Sequence, residues 1–227
     1  MKFQANIIER PLRRVVRVAL NWITWKLDGI YDYRHGTDTS SFVQVKELSA
    51  ASKNLKNAGH YEPSSPFLFK TIMNHLSVDY NEYVFIDIGS GKGRILILAS
   101  DYPFAEVIGI EFSPQLHAIA ESNLINNEHR RASKITLLCA DVADYEFSNN
   151  NTVLYLFNPF NRVMILKLLD KLRYLAEHNK IYMVYSNALH SDIVEKAGIF
   201  KTTTRVKVPY LVRKTRNFSD IFIYSNV

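Results

Sequence analysis

The 227-residue sequence holds one cysteine, seven prolines and eight glycines, and it has no long hydrophobic run. A single thiol, Cys139, excludes an internal disulfide framework and a cysteine-based zinc site, and it fits a reducing compartment. The longest uncharged stretch near the start, Val18 to Trp25, is too short to cross a bilayer. Glu9 and four arginines precede it and no small-residue cleavage site follows, so a secretory signal is not expected. The histidines make no H-E-x-x-H spacing and there is no G-x-S-x-G elbow, so no metal and no serine nucleophile is predicted. Repeats and low-complexity tracts are also missing. A content of 47 % hydrophobic and 22 % charged residues excludes a disordered chain. The expectation is a cytoplasmic protein with a single core.

Charge is unevenly spread. Residues 1–27 carry Lys2, Arg10, Arg13, Arg14, Arg17 and Lys26 against Glu9, a balance of +5. Residues 201–216 carry Lys201, Arg205, Lys207, Arg213, Lys214 and Arg216 with no acid, a balance of +6, so the rest of the +6 chain stands at −5. Such flanks suit phosphates, an anionic lipid surface or an acidic protein, and they also suit a merely solvated surface. With Trp22 and Trp25 beside the arginines, residues 10–27 are a candidate interfacial helix, or a helix packed on the rest of the protein.

Leu12, Val15, Val16, Ala19, Leu20, Ile23 and Leu27 recur at helical spacing, and a looser polar stretch follows to about Pro63. Ser64-Ser65-Pro66 reads as a helix start, with Leu68, Ile72, Met73 and Leu76 on one stripe. From Tyr83 strands and helices alternate. Strands are expected at 83–88, 107–111, 134–139, 152–157, 180–186, 202–208 and 220–225, and helices at 91–101, 114–127, 161–177 and 191–197. Runs such as Val84-Phe85-Ile86 suit strands buried on both faces of a parallel sheet. No helix separates the last two strands, so one of them is expected to run antiparallel.

Where the first strand meets its helix stands Asp87-Ile88-Gly89-Ser90-Gly91-Lys92-Gly93-Arg94. Glycines at this junction permit a tight turn and a close approach of backbone to a ligand. Arg94 occupies the last glycine of a dinucleotide fingerprint, and Gly93 stands where a P-loop needs Ser or Thr, so both phosphate readings fail. Glu111 closes the second strand, where an acid can accept hydrogen bonds from both hydroxyls of a ribose, with Phe112 beside it. Ser113 and Pro114 then open the next helix. Asp141 follows the third strand, where a carboxylate can accept an adenine amino group while Val142 packs on the ring; a plain turn residue is the alternative.

In this order the residues resemble the class I S-adenosylmethionine (SAM) dependent methyltransferases. Asp87 to Gly93 is similar to their first motif, Glu111 to their ribose-binding acid and Asp141 to their adenine-binding acid. Tyr31 to Thr39, Tyr61-Glu62-Pro63 and Leu156 to Phe160 look like a bacterial subgroup whose substrates are largely unassigned. The resemblance implies an α/β fold: a doubly wound, mostly parallel, seven-stranded Rossmann-like sheet with helices on both faces, plus a helical N-terminal extension. It implies a basic helix and lid-like segment over 1–60 and a methyltransferase domain over 61–227. It implies SAM as methyl donor, held by Tyr61, Asp87, Gly89, Ser90, Gly91, Gly93, Glu111, Phe112, Asp141, Val142 and Asn158, with Tyr61 and Gly36–Ser40 closing over it.

Asn158-Pro159-Phe160 ends the fourth strand, at the edge where open sheets bind ligands. It resembles the Asn/Asp-Pro-Pro-aromatic motif of methyltransferases acting on planar amines and amides, with one proline missing. These three residues are the expected catalytic group, and a plain turn is the alternative. A methyl carried on a sulfonium needs no metal or covalent nucleophile, so positioning supplies much of the rate. The acceptor, whether RNA, protein or small molecule, is not legible. A SAM- or nucleoside-binding module without turnover is the competing reading, and an NAD-dependent oxidoreductase a remoter one.

Overall fold

A computed structural model describes residues 26, 28–44, 60–125, 130–209, 213 and 218–227. The apolar stripe expected over 12–27, nearly all of the basic segment 10–27 and part of the basic segment 201–216 lie outside the described residues.

Seven strands form one sheet: β1 (Val84–Ile88), β2 (Glu106–Glu111), β3 (Ile135–Cys139), β4 (Thr152–Phe157), β5 (Ile181–Ser186), β6 (Thr202–Val206) and β7 (Ile221–Ser225). Their order is β3-β2-β1-β4-β5-β7-β6. The first five are mutually parallel, and β7 runs antiparallel to both β5 and β6. The helices are α1 (residues 28–35), α2 (Pro66–Met73), α3 (Arg94–Ser100), α4 (Pro114–Ile125), α5 (Arg162–His178) and α6 (Ser191–Lys196).

Alternation along the central strands splits the core in two. Ile86, Ile88, Leu154 and Leu156 pack with Met164, Leu168 and Leu172 of α5 and Ile193 of α6. Phe85, Val153 and Tyr155 pack with Phe69, Ile72 and Met73 of α2 and Leu96 of α3. The sheet is therefore covered on both faces, which is why its strands read as continuous apolar runs. Local capping sets the helix starts. Ser65 accepts from the Leu68 amide with Pro66 in the first turn, and Asn161 accepts from the Val163 and Met164 amides.

β1 lies between β2 and β4, with Ile88 opposite Ile110 on one side and Leu156 on the other. The chain order reverses across this pair, so the carboxyl ends of β1, β2 and β4 meet in the crevice where such sheets hold ligands. α3 begins at Arg94, three residues later than expected, because Gly89 to Gly93 are spent on the turn. Among the described residues no helix is long and apolar enough to cross a membrane.

Candidate active site

The turn after β1 is built on left-handed backbone. Gly91 has φ +53°, and a Cβ there would overlap the Tyr61 ring. Gly93 has φ +83° and a Cβ there would sit 3.1 Å from Ala120 Cβ on α4, so the turn presses on that helix. Both positions need glycine for conformation and for space. Amides of Gly89 and Ser90 donate to the Ile110 carbonyl at 2.9 and 3.1 Å, and the Gly91 amide donates to Glu111 Oε2 at 2.8 Å. Glu111 Oε1 accepts from the Ser113 amide, also at 2.8 Å. One carboxylate thus ties the β1 turn to the start of α4.

Asp87 and Glu111 are both 3 % exposed, and neither makes an ion pair among the described residues. Burial pushes the Glu111 carboxyl up to about 7, against the opposing pull of the Ser113, Gly91 and Phe112 amides. Burial and the neighbouring Glu111 together push Asp87 well above the usual carboxylate range. Two buried carboxyls without a cation are costly unless something cationic or hydrogen-bond donating sits against them. A ligand with a sulfonium, an ammonium and ribose hydroxyls fits that requirement.

One cavity collects Tyr61, Asp87, Gly89, Ser90, Gly91, Glu111, Phe112, Pro159 and Phe160 from the residues singled out in the sequence. Four others do not line it. Gly93 faces Ala120, Asp141 Oδ1 accepts from the Ala143 amide at 2.9 Å, and Val142 is buried in the core. Asn158 takes left-handed backbone, φ +39°, and its Oδ1 accepts from the Tyr185 hydroxyl at 3.1 Å. Burial pushes that phenol up to about 12, so it stays a donor. Pro159 meets the glycine turn directly: a Cβ on Gly89 would lie 3.0 Å from Pro159 Cβ.

Sequence reasoning did not assign roles to Lys92 and Arg94, which are 3 % and 2 % exposed. Arg94 Nη1 meets Asp28 Oδ1 at 2.6 Å, Nη2 meets Asp32 Oδ1 at 3.5 Å, and Nε donates to Thr39 Oγ1 at 2.6 Å. Its guanidinium also lies 4.8 Å from the Tyr31 ring centroid. Lys92 Nζ pairs with Asp38 at 3.0 Å. Asp28 and Asp32 stand four apart on α1, and that spacing was the available signal for a shared cation. The cavity wall also includes Phe157 and Tyr155, whose hydroxyl donates to Ser64 Oγ at 3.3 Å. In the basic segment near the C-terminus, Arg205 and Arg213 both pair with Asp220, at 2.7 and 2.9 Å. No group of three or more His, Cys, Asp or Glu that could hold a metal occurs among the described residues.

The family model described as a methyltransferase domain matches residues 85–181. No curated protein matches the chain. Similar solved structures include TrmN from Thermus thermophilus (12 % identity, 71 % of this chain and 48 % of that one, TM-score 0.51). A predicted N6-adenine-specific DNA methylase from Listeria monocytogenes is 14 % identical over 73 % of this chain and 51 % of that one, with TM-score 0.51. This chain thus spans about half the length of both. An RNA methyltransferase from Salinibacter ruber in complex with S-adenosyl-L-homocysteine is 20 % identical over 72 % of this chain and 91 % of that one, with TM-score 0.46. At these identities the solved structures bear on the fold alone. The domain match over 85–181 takes in the glycine turn, Glu111 and the end of β4, and the chain has the class I, Rossmann-like fold of the SAM-dependent methyltransferases.

Proposed function

We propose that the chain methylates a nitrogen nucleophile held at the carboxyl end of β4, within a methyltransferase domain of residues 61–227 that follows an N-terminal extension of residues 1–60. The observation that carries the reading is a single cavity lined both by the Asp87–Glu111 pair and by Pro159 and Phe160. Donor and acceptor can meet there.

The carboxylates, the glycine turn and Phe112 would hold the donor. Glu111 keeps lone pairs beyond the two amides it serves and can accept the ribose hydroxyls. Asp87 can neutralise the donor's positive charge. Cys139 is the register partner of Glu111, so Asp141 follows β3 two residues beyond the level of that acid. When bound, SAM would supply the methyl from its sulfonium, S-adenosylhomocysteine would be the leaving group, and the methylated nitrogen would give up its proton to water. The remaining work is positioning by the chain's own residues. Phe160 offers an apolar face, and the Pro159 carbonyl and Asn158 carboxamide offer polar contacts to a planar amine or amide.

The single thiol, Cys139, supports a cytoplasmic location. Incubating the protein with SAM and fractionated cell extract, and following S-adenosylhomocysteine release, tests the activity. Release in one fraction, lost on RNase or protease treatment, would identify the acceptor as RNA or protein. Release in none of the fractions, with SAM still bound, would favour a binding module without turnover.

A further inference from the structure

Beyond the cavity, the carboxyl edge of the sheet continues past β5 to the start of β7, because β7 runs antiparallel to β5. Phe157 and Ser186 are register partners, so Asn158 and Asn187 leave β4 and β5 side by side, both in left-handed backbone at φ +39° and +53°. Asn187 Oδ1 accepts from the Ser219 amide at 2.8 Å, and the Ala188 amide donates to the Asp220 carbonyl at 2.9 Å. Asp220, just before β7, is thereby seated two strands from Asn158, roughly 10 Å at the usual strand spacing. The Phe218 ring makes the same connection, 5.6 Å from that of Phe157 in the cavity wall. Asp220 holds two cations: Oδ2 meets Arg205 Nη2 at 2.7 Å and Oδ1 meets Arg213 Nη2 at 2.9 Å. Arg205 comes from β6. Arg213 is fixed from both sides, its amide donating to the Pro209 carbonyl and its carbonyl accepting from the Phe218 amide, each at 3.2 Å.

We propose that Arg205 and Arg213 form a phosphate site, and that the acceptor is a nucleotide whose base lies against Asn158 to Phe160 while its own or an adjoining phosphate lies on this pair. One carboxylate cannot neutralise two guanidiniums, so a positive charge is left standing. The arginine side chains are 57 % and 43 % exposed and Asp220 is 19 % exposed. A bridge this open adds little to stability, so holding β6 on β7 does not account for it. It does fix two planar forks beside one another. Each guanidinium meets Asp220 through Nη2, so Nη1 and Nε have donors to give a phosphate, whose geometry such a fork matches. Asp220 is the one acid in residues 201–227, against six lysines and arginines, so this part of the chain favours an anion. A flat face at Phe160, polar contacts for a planar amine at Asn158 and an anion site on the same edge outline a nucleotide. A lipid headgroup or an acidic side chain would leave the flat face unused.

The inference rests on the nitrogen-acceptor reading above, and the experiment separates the two. Binding of a short, labelled, mixed-sequence single-stranded RNA to the full chain is followed by fluorescence anisotropy, with S-adenosylhomocysteine saturating and thermal melts as a check on folding. Arg205→Gln and Arg213→Gln should each weaken binding about fivefold at about 50 mM salt. Each should also lower the slope of log affinity against log salt by about 0.7, the loss of one phosphate contact on a single strand. Lys134→Gln removes the same charge beside β3, at the far side of the sheet, and should leave affinity within about twofold. Arg213 lies outside the sheet, so Arg213→Gln stays decisive if Arg205→Gln loosens β6. Ribonucleoside monophosphates should displace the RNA and the matching nucleosides should not. Monophosphates binding as tightly as the RNA would identify a free nucleotide, and RNA binding at least about tenfold more tightly a nucleic-acid strand. Unchanged affinity in both arginine variants, equal losses in Arg213→Gln and Lys134→Gln, or equal displacement by nucleosides would overturn the site. S-adenosylhomocysteine release that follows only a protein fraction, unchanged in Arg213→Gln, would overturn the nucleotide acceptor and leave transfer to nitrogen standing. Release from no fraction, with the arginine effects as expected, would leave the phosphate site standing and overturn the transfer.

Discussion

Gly91 donates its amide to Glu111 at 2.8 Å, so the turn after β1 is fastened to the end of β2 by a carboxylate that also walls the cavity. Turn geometry and ligand chemistry are therefore one arrangement. A change at either residue disturbs both.

Gly91→Val should abolish SAM binding and leave a folded protein. The left-handed backbone at φ +53° costs a β-branched residue roughly 1–2 kcal/mol, and the new Cβ overlaps the Tyr61 ring. Isothermal calorimetry with SAM and far-UV circular dichroism on the same preparation check it. Wild-type affinity in this variant would move the cofactor away from the turn.

Glu111→Ala should weaken SAM by roughly 1.5–3 kcal/mol, about ten- to hundredfold, by removing charge-assisted hydrogen bonds. An unchanged dissociation constant would place the ribose elsewhere.

The raised carboxyl of Glu111 also predicts a pH dependence. Its usual value is 4.5 and burial lifts it to about 7. Below both values the two states are protonated alike and the group costs nothing. As pH rises between them, the unfolded chain sheds the proton that the folded chain keeps, so this group lowers stability, and the loss is complete above 7. Melting of the ligand-free protein should therefore decline from about pH 5 to about pH 8, and Glu111→Gln should flatten that decline. A ligand that needs the carboxylate ionised should gain about tenfold in affinity between about pH 6 and about pH 8. Equal SAM affinity at both values would show that the Asp87–Glu111 pair is already ionised in the ligand-free protein.

Arg94→Met should cost about 3–5 kcal/mol, because it leaves Asp28 and Asp32 buried without their cation. Denaturant unfolding measures this. A loss below about 1 kcal/mol would mean that water reaches the two aspartates readily.

Asn158→Ala should leave SAM affinity within about twofold while lowering turnover roughly a hundredfold, the size of effect seen when one oriented polar contact in a reacting site is removed. Tyr185→Phe removes the hydroxyl that donates to Asn158 Oδ1 and should lower turnover in the same direction by a smaller factor. Normal turnover in Asn158→Ala would reduce the tripeptide at the end of β4 to a structural turn.

Much of this protein could be read along the chain because the signals are local. A strand buried on both faces must be apolar throughout, so Val84 to Ile88 and Thr152 to Phe157 stood out, and the turn between β1 and α3 had to be glycine-rich. The acid ending β2 was legible for the same reason: one charged residue after a buried apolar run. The uses of Lys92 and Arg94 were not legible. Arg94 lies 66 residues from Asp28 and 62 from Asp32, and Lys92 lies 54 from Asp38, distances over which no periodicity carries information. The same holds for Asn158, whose partner Tyr185 comes from the neighbouring strand 27 residues on. The sequence by itself determined the sheet, the glycine turn and the acids at its edge, since each follows from local geometry and the demand that apolar faces be buried. The tertiary structure alone decided which charges pair, because only packing shows which groups lose water together and must then neutralise one another.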